Sequence, residues 1–388
     1  MQAAKPQPNI DEGVAQRFLS EERRVLEQFI PGLDGRLKSI PFAELEKPNN
    51  PAIAIYRELK GPCLLIPAKH GGLGANPLEA VSIHRAIAAR APSLAVAVTM
   101  HNFSVATLVE YSFYGDYSDS FLKTVSSNQL FLASGFAEGR AGANIMIPTV
   151  RADRVDGGYK VNGSKKPCSL THSMDLLTAS VAVPGNGNGD LRAVAIIPAD
   201  AEGIGRKPFW NNWVLAGAES DELILKDVFV PEEYLFFPET QEVLDKVETG
   251  GFLWFELLIT ASYLGIASSL AERALVNCKG PAADRAMPAI ELEGAASALE
   301  GIAHSMTVGK RDDSMLARCL AVRYAIQGMI ERAAALSAEL LGGIAFVSSS
   351  EVSYLLAASR ALAYHPPSRV GMAPTLCNYF LDGSFRMI

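Results

Sequence analysis

Hydrophobic spacing changes its period twice along this chain of 388 residues, and the order of those changes limits the fold more than any single residue does. From about residue 10 to 125 apolar positions recur at helical spacing, as in Val14, Phe18, Val25 and Phe29, where Pro31 and Gly32 end the run. Near residue 128 short β-branched runs take over, separated by Asp156-Gly157 and Asn162-Gly163, dipeptides that favour hairpins. Ala193–Ile197 and Glu222–Leu225 supply further strands, and Pro231 closes the region. Beyond Gly250 the pattern is helical again in four Ala- and Leu-rich stretches, 252–277, 290–308, 315–341 and 351–363. The separators between them carry Gly280-Pro281, Asp312-Asp313 and Gly342-Gly343. Four such helices with short connections predict a bundle. The expected units are an N-terminal helical domain over 1–127, a compact middle β domain over 128–238 and a C-terminal four-helix bundle over 239–388.

Composition narrows the function. Apolar residues make up 49% of the chain and charged residues 20%, ample for a large core with some surface covered by a second subunit. A net charge of −7 argues against nucleic acid, whose binding depends on neutralising phosphates with Lys and Arg. The most apolar stretch, 251–275, is interrupted by Glu256, Glu272 and Arg273 and so reads as a buried helix, not a membrane span. Asp11, Glu21 and Glu22 stand where a leader would be basic and then apolar, and five scattered cysteines without a CxxC pair read as reduced thiols. A cytoplasmic protein without a metal site is expected.

Local motifs sharpen this. Ile66–Gly74 (IPAKHGGLG) resembles the "P-x-x-x-G-G-x-G" turn of the acyl-CoA dehydrogenase superfamily. Tyr159–Lys165 (YKVNGSK) is similar to its "Y-x-L-N-G-x-K" hairpin, Lys226–Pro231 (KDVFVP) to its "F-x-D-V-x-V-P" strand, and Leu340–Gly343 (LLGG) to its "Q-x-x-G-G" helix end. The resemblance covers nearly the whole chain. It implies the three-part α+β fold, FAD held between barrel and bundle with the adenine half reaching a neighbouring subunit, and a homodimer or homotetramer.

The same resemblance assigns the site. The first flavin segment falls on 137–144 beside Phe136, with Ala137 in place of the ring-contacting Thr and Ala143 in place of the phosphate-contacting Ser. Backbone N–H groups can serve both purposes. The second falls on Pro167–Ser169, where Ser169 keeps a hydroxyl for the flavin edge and Pro167 replaces an aromatic ring. Arg285, Gly342, Gly343 and Ser368 complete the implied cofactor set, with Glu339 where the family has Gln. Taken by themselves, Ser169 reads as a turn serine, Arg285 as a solvated arginine and the two glycines as a helix terminus.

Dehydrogenation of an acyl thioester needs one carboxylate aimed at the α-carbon in a dry pocket. The family's usual position for it holds Pro366. In the isovaleryl- and long-chain branch the base lies on the first bundle helix, and the motif there falls on Glu256–Ala261 (ELLITA), which makes Glu256 the expected base. His365 is a second titratable candidate. Leu257 and Ala216 stand where the family has arginines, which favours a substrate tethered to a carrier protein, or an untethered small acid or aromatic molecule, over free CoA. Trp210 and Trp213 are candidates for a pocket wall.

Three readings result. The first is an FAD-dependent α,β-dehydrogenase or oxidase of an acyl thioester, with Glu256 as base and an electron-transfer partner. The second is a monooxygenase on the same fold using reduced flavin and O2, which Pro366 fits. The third is a flavin-free binding or scaffolding subunit, or an enzyme of non-redox chemistry, to which Ala137, Ala143, Pro167 and Glu339 point.

Overall fold

The computed structural model describes residues 17–114, 118–140, 145, 147–185, 189–237, 240–277 and 280–385. Seven helices come first: α1 (Ser20–Phe29), α2 (Leu33–Lys38), α3 (Phe42–Glu46), α4 (Ala52–Glu58), α5 (Pro77–Arg90), α6 (Pro92–Tyr111) and α7 (Asp119–Asn128). Helix α5 starts at a full capping box, the Asn76 side chain accepting from Leu78 and Glu79 N–H while Glu79 reaches back to the Asn76 N–H. Eight strands follow: β1 (Leu132–Gly135), β2 (Arg151–Val155), β3 (Gly158–Cys168), β4 (Leu176–Val183), β5 (Leu191–Pro198), β6 (Ile204–Lys207), β7 (Asp221–Pro231) and β8 (Leu235–Phe236). The chain ends in α8 (Gln241–Asn277), α9 (Ala282–Thr307), α10 (Asp313–Ser348), α11 (Ser350–Ser359) and α12 (Arg369–Asp382).

The strands form one sheet in the order β6-β7-β3-β2-β4-β5-β8, with β1 parallel to β4 from Leu132 opposite Leu176 to Gly135 opposite Ala179. Asp156-Gly157 makes the tight β2–β3 turn as expected, Val155 pairing with Gly158. Asn162-Gly163 does not turn. It lies inside β3 at an irregularity of the β3–β7 ladder, where Gly163 has φ 146° and a Cβ would come 2.7 Å from the Val150 side chain.

The bundle helices run past their expected ends. Helix α8 begins at Gln241, because Gly250 and Gly251 do not interrupt it: they face α6, where a Cβ on Gly251 would lie 2.5 Å from Thr107 Oγ1. Gly265, further along, meets the Arg85 carbonyl of α5 in the same way at 2.3 Å. Small residues thus let α8 lie against α5 and α6 on one side and α9 and α10 on the other, and its middle, Leu253 to Ala274, is buried almost without a break. Helices α6 and α8 are long and apolar enough to cross a membrane, but 94% of the apolar window of α8 is buried inside this fold. Helix α10 continues beyond Leu341 through a kink at Gly342, φ 83° and ψ 166°. Helix α12 is an element the sequence pattern did not announce.

Candidate active site

Phe136 and Ala137 run off the end of β1, and the end of β3 lies beside them. The Lys166 N–H donates to the Ala137 carbonyl at 2.8 Å, and the Cys168 thiol donates to the Ser134 carbonyl at 3.4 Å. Ser169, next along, is buried and shares a 2.9 Å hydrogen bond with the Ser220 hydroxyl just before β7. Two separate stretches of sequence, Phe136-Ala137 and Pro167–Ser169, are therefore neighbours at one end of the sheet.

A run of aromatic rings connects that end to the bundle. Phe136 lies 6.0 Å from Phe103 of α6, Phe103 lies 5.4 Å edge-on to Phe255 of α8, and Phe255 touches Phe252 at 6.1 Å and His365 at 6.3 Å. Phe136, Phe103, Phe252 and His365 are each half-buried, so this run of rings reaches the surface at the junction of sheet and bundle.

His365 occupies the turn after residues 360–364, and three side chains hold it. Tyr263 of α8 bonds its hydroxyl to His365 Nε2 at 2.8 Å. Arg323 of α10 donates to the carbonyls of His365 at 2.7 Å, Leu362 at 3.1 Å and Pro366 at 3.4 Å. Tyr324 donates to the Pro367 carbonyl at 2.8 Å. Burial, reinforced by the Arg323 charge, lowers the imidazole to about 3, so His365 is neutral at physiological pH.

Glu256 takes a different part from the one expected of it. It is completely buried, and its Oε2 accepts from Arg323 Nη1 at 2.6 Å. Burial pushes its carboxyl up to about 7 against the pull of Arg323. Among the described residues its other oxygen has no hydrogen-bond partner, and neither has the hydroxyl of Thr260 one helical turn on. The thiol of Cys319, also buried, is pushed up by burial and by the Glu256 charge. A carboxylate paired with arginine inside the helix packing is not open to a substrate α-carbon, and Glu256 is here the counter-ion of Arg323.

The remaining expected residues do not gather at this point. Arg285 opens α9 and Gly342-Gly343 form the α10 kink. With α10 rising about 1.5 Å per residue, Gly342 lies roughly 28 Å along the helix from Arg323. Ser368 caps α12 by accepting from the Gly371 N–H at 3.1 Å, and Ala143 lies outside the described residues. Trp210 is half-buried and donates to the Val214 carbonyl at 2.8 Å; Trp213 is largely exposed against Tyr354. Leu257 is core. Of the cysteines, Cys63, Cys168 and Cys319 are buried and free, and Cys377 is exposed. Among the described residues no His, Cys, Asp or Glu group could hold a metal.

Tyr263, Arg323, Phe103 and Phe255 are the residues the sequence reading missed. Two carried a signal. Tyr263 stands seven residues from Glu256, on the same helix face, and Arg323 is a cation among the apolar positions Leu316, Leu320, Ile326 and Ile330 of its helix.

A planar, electron-rich ring system fits the sheet end: Phe136 offers a ring, Ala137 and its neighbours offer backbone, and Ser169 offers a hydroxyl. The nearby Glu138 carboxylate is taken up by Lys165, Thr149 and the Val150 N–H, so no free negative charge opposes such a group.

The helical, sheet and bundle order is that of the acyl-CoA dehydrogenase fold. The FMN-bound TdsC of Paenibacillus sp. A11-2 superposes with a TM-score of 0.77 at 19% identity, over 96% of this chain and 99% of that one. Isobutylamine N-hydroxylase of Streptomyces viridifaciens is 42% identical over 373 residues, 95% of this chain and 99% of that protein. The chain therefore belongs to the acyl-CoA dehydrogenase-like superfamily, in the family of that N-hydroxylase, and is an oxidoreductase. Isovaleryl-CoA dehydrogenase of Arabidopsis thaliana is more distant, 25% identical over 54% of this chain and 51% of that protein. No family model matches.

Proposed function

We propose that this enzyme is a flavin-dependent monooxygenase that N-hydroxylates a small primary amine. The observation that carries the reading is the fate of the two carboxylate positions: one is Pro366 and the other, Glu256, is sealed in an ion pair with Arg323. Proton abstraction from an acyl thioester is left without a base, whereas oxygen transfer to an amine requires none at that place. The full-length likeness to isobutylamine N-hydroxylase supports the amine, and the distant, half-length likeness to isovaleryl-CoA dehydrogenase supports the dehydrogenase reading less well.

Phe136, the backbone of Ala137 and the Ser169 hydroxyl would hold the flavin ring, and reduced flavin would supply the two electrons with which O2 is divided between a hydroxylamine and water. Phe103, Phe252 and Phe255 pack around the amine's alkyl group and keep water out. His365, neutral and adjacent to Phe255, would donate a hydrogen bond to the reacting groups. Solved proteins of this fold bind FMN or FADH2, so either flavin is a candidate beside the expected FAD.

The electron partner in this reading is a separate flavin reductase. Self-association belongs to it too: Ile344 and Val347 beyond the α10 kink, and Phe380 and Leu381 of α12, are more than two-thirds exposed, a cost that a second copy would relieve.

The test supplies purified enzyme with NADH, a flavin reductase, FMN or FAD, air and a series of short alkylamines, isobutylamine among them. Alkylhydroxylamine detected by mass spectrometry, dependent on the reductase, supports the reading. Failure with every amine and either flavin, together with reduction of bound flavin by an acyl thioester, refutes it.

A further inference from the structure

We propose that Tyr263 and Arg323 are positioning residues for His365: Arg323, seated on Glu256, fixes the turn that carries the ring, and the Tyr263 hydroxyl fixes which ring nitrogen bears the proton. Tyr263 is fully buried, and its hydroxyl makes one hydrogen bond among the described residues, the 2.8 Å bond to His365 Nε2. If Nε2 were the donor, the phenolic hydrogen would be left in the core without an acceptor, an arrangement buried hydroxyls avoid. With the hydroxyl donating, both groups are satisfied, so Nε2 accepts and the hydrogen resides on Nδ1. Nδ1 has no partner among the described residues and is not among the buried unpartnered atoms, which leaves an N–H free to meet a ligand.

Arg323 supports this from behind. Its guanidinium spans three consecutive-turn carbonyls and one carboxylate, a planar fork no other side chain can reproduce. Glu256 keeps that guanidinium in a place where an unpaired cation would not stay. The charge acting on the ring is that of Arg323, itself paired with Glu256, while Tyr324 bonds the Pro367 carbonyl of the same turn. The carboxylate that elsewhere on this fold removes a proton is thus put to holding a histidine.

The experiment labels histidine with 15N in the full-length protein and identifies His365 by its disappearance in His365→Ala. The expected spectrum shows a protonated Nδ1 and an unprotonated Nε2, and in Tyr263→Phe the two shifts move towards each other as the tautomers mix. With the proposed amine hydroxylation as the second readout, Tyr263→Phe should lower hydroxylamine formed per NADH by about tenfold while the amine KM changes less than about twofold. Tyr263→Phe combined with His365→Ala should be no slower than His365→Ala alone. Arg323→Lys, which keeps a cation beside Glu256 but cannot span three carbonyls, should broaden the His365 resonances and lower coupling in the same way.

A protonated Nε2 in the wild type, unmoved shifts in Tyr263→Phe, moved shifts with unchanged coupling, or losses that multiply in the double variant each overturn the Tyr263 assignment. Unchanged resonances in Arg323→Lys overturn the Arg323 assignment. The kinetic arm rests on the N-hydroxylase reading; if no amine is turned over, that reading fails while the nitrogen shifts still decide the positioning claim.

Discussion

Arg323→Met isolates the energetics of the buried pair. The substitution keeps the side-chain length but removes the partner 2.6 Å from Glu256 Oε2 and abandons the carbonyls of Leu362, His365 and Pro366. Stranding one member of a fully buried ion pair costs about 3–5 kcal/mol. At about 2.1 cal/mol/K per residue, a chain of this length melts with an entropy of roughly 0.8 kcal/mol/K, so the expected fall in Tm is about 4–6 °C. The sign of its pH dependence follows from Glu256. Its folded carboxyl is raised above the unfolded value of 4.5, so it contributes no penalty below that value and an increasing one as pH rises through about 7. Loss of Arg323 raises the carboxyl further, so the deficit should be largest at pH 8 and shrink towards pH 5. Differential scanning fluorimetry across that range measures it. Arg323→Met combined with Glu256→Met should recover most of the loss, because no charge is then orphaned. A double variant less stable than Arg323→Met, or a deficit that grows as pH falls, refutes the reasoning.

Gly265→Ala should destabilise by about 1–3 kcal/mol, seen in the denaturant midpoint, since its Cβ would press on the rigid Arg85 carbonyl of α5. Glu46 is fully buried among Ser93 and Tyr354, and burial raises it to about 7, so stability should fall as pH rises from 5 to 8 on its account. Glu46→Gln should remove up to about 1.4 kcal/mol per pH unit of that slope in chemical denaturation, and an unaltered slope rules the assignment out. His84 and His101, lowered by burial to about 3 and about 4, act in the opposite sense: their contribution is intact above about 6.5 and lost as pH falls towards those values. His84→Gln should therefore flatten the acid limb of the stability curve.

The fold was legible because its signals are periodic and local. Alternation and an Asp-Gly turn specify β2 and β3, and apolar spacing specifies α5, α6 and the bundle. What misled were glycines and asparagine, whose meaning depends on what they face. Gly250-Gly251 reads as a break in one dimension and is a helix contact in three, and Asn162-Gly163 reads as a hairpin where Asn162 instead pairs with Asp227 across a bulge. At the site, sequence placed Phe136, Ala137, Ser169 and His365 near one another through a family likeness. It could not show that Glu256 is neutralised, because Arg323 comes 67 residues later on another helix. Ion pairing across a bundle leaves no trace in spacing.

Helix α8 is shared property. Its glycine-lined side belongs to the N-terminal helices and its opposite side to the bundle, so neither neighbour has a complete core without it. The segments that sequence grammar separates are thus obliged to melt in concert. A protease cut just before Gln241 would not release two stable halves, and the amides of Leu253 to Ala274 should exchange with deuterium only through global opening. Any substitution at Glu256 or Tyr263 is therefore also a substitution in the keystone of the whole molecule, which ties the pace at which the surroundings of His365 can change to the stability of the entire chain.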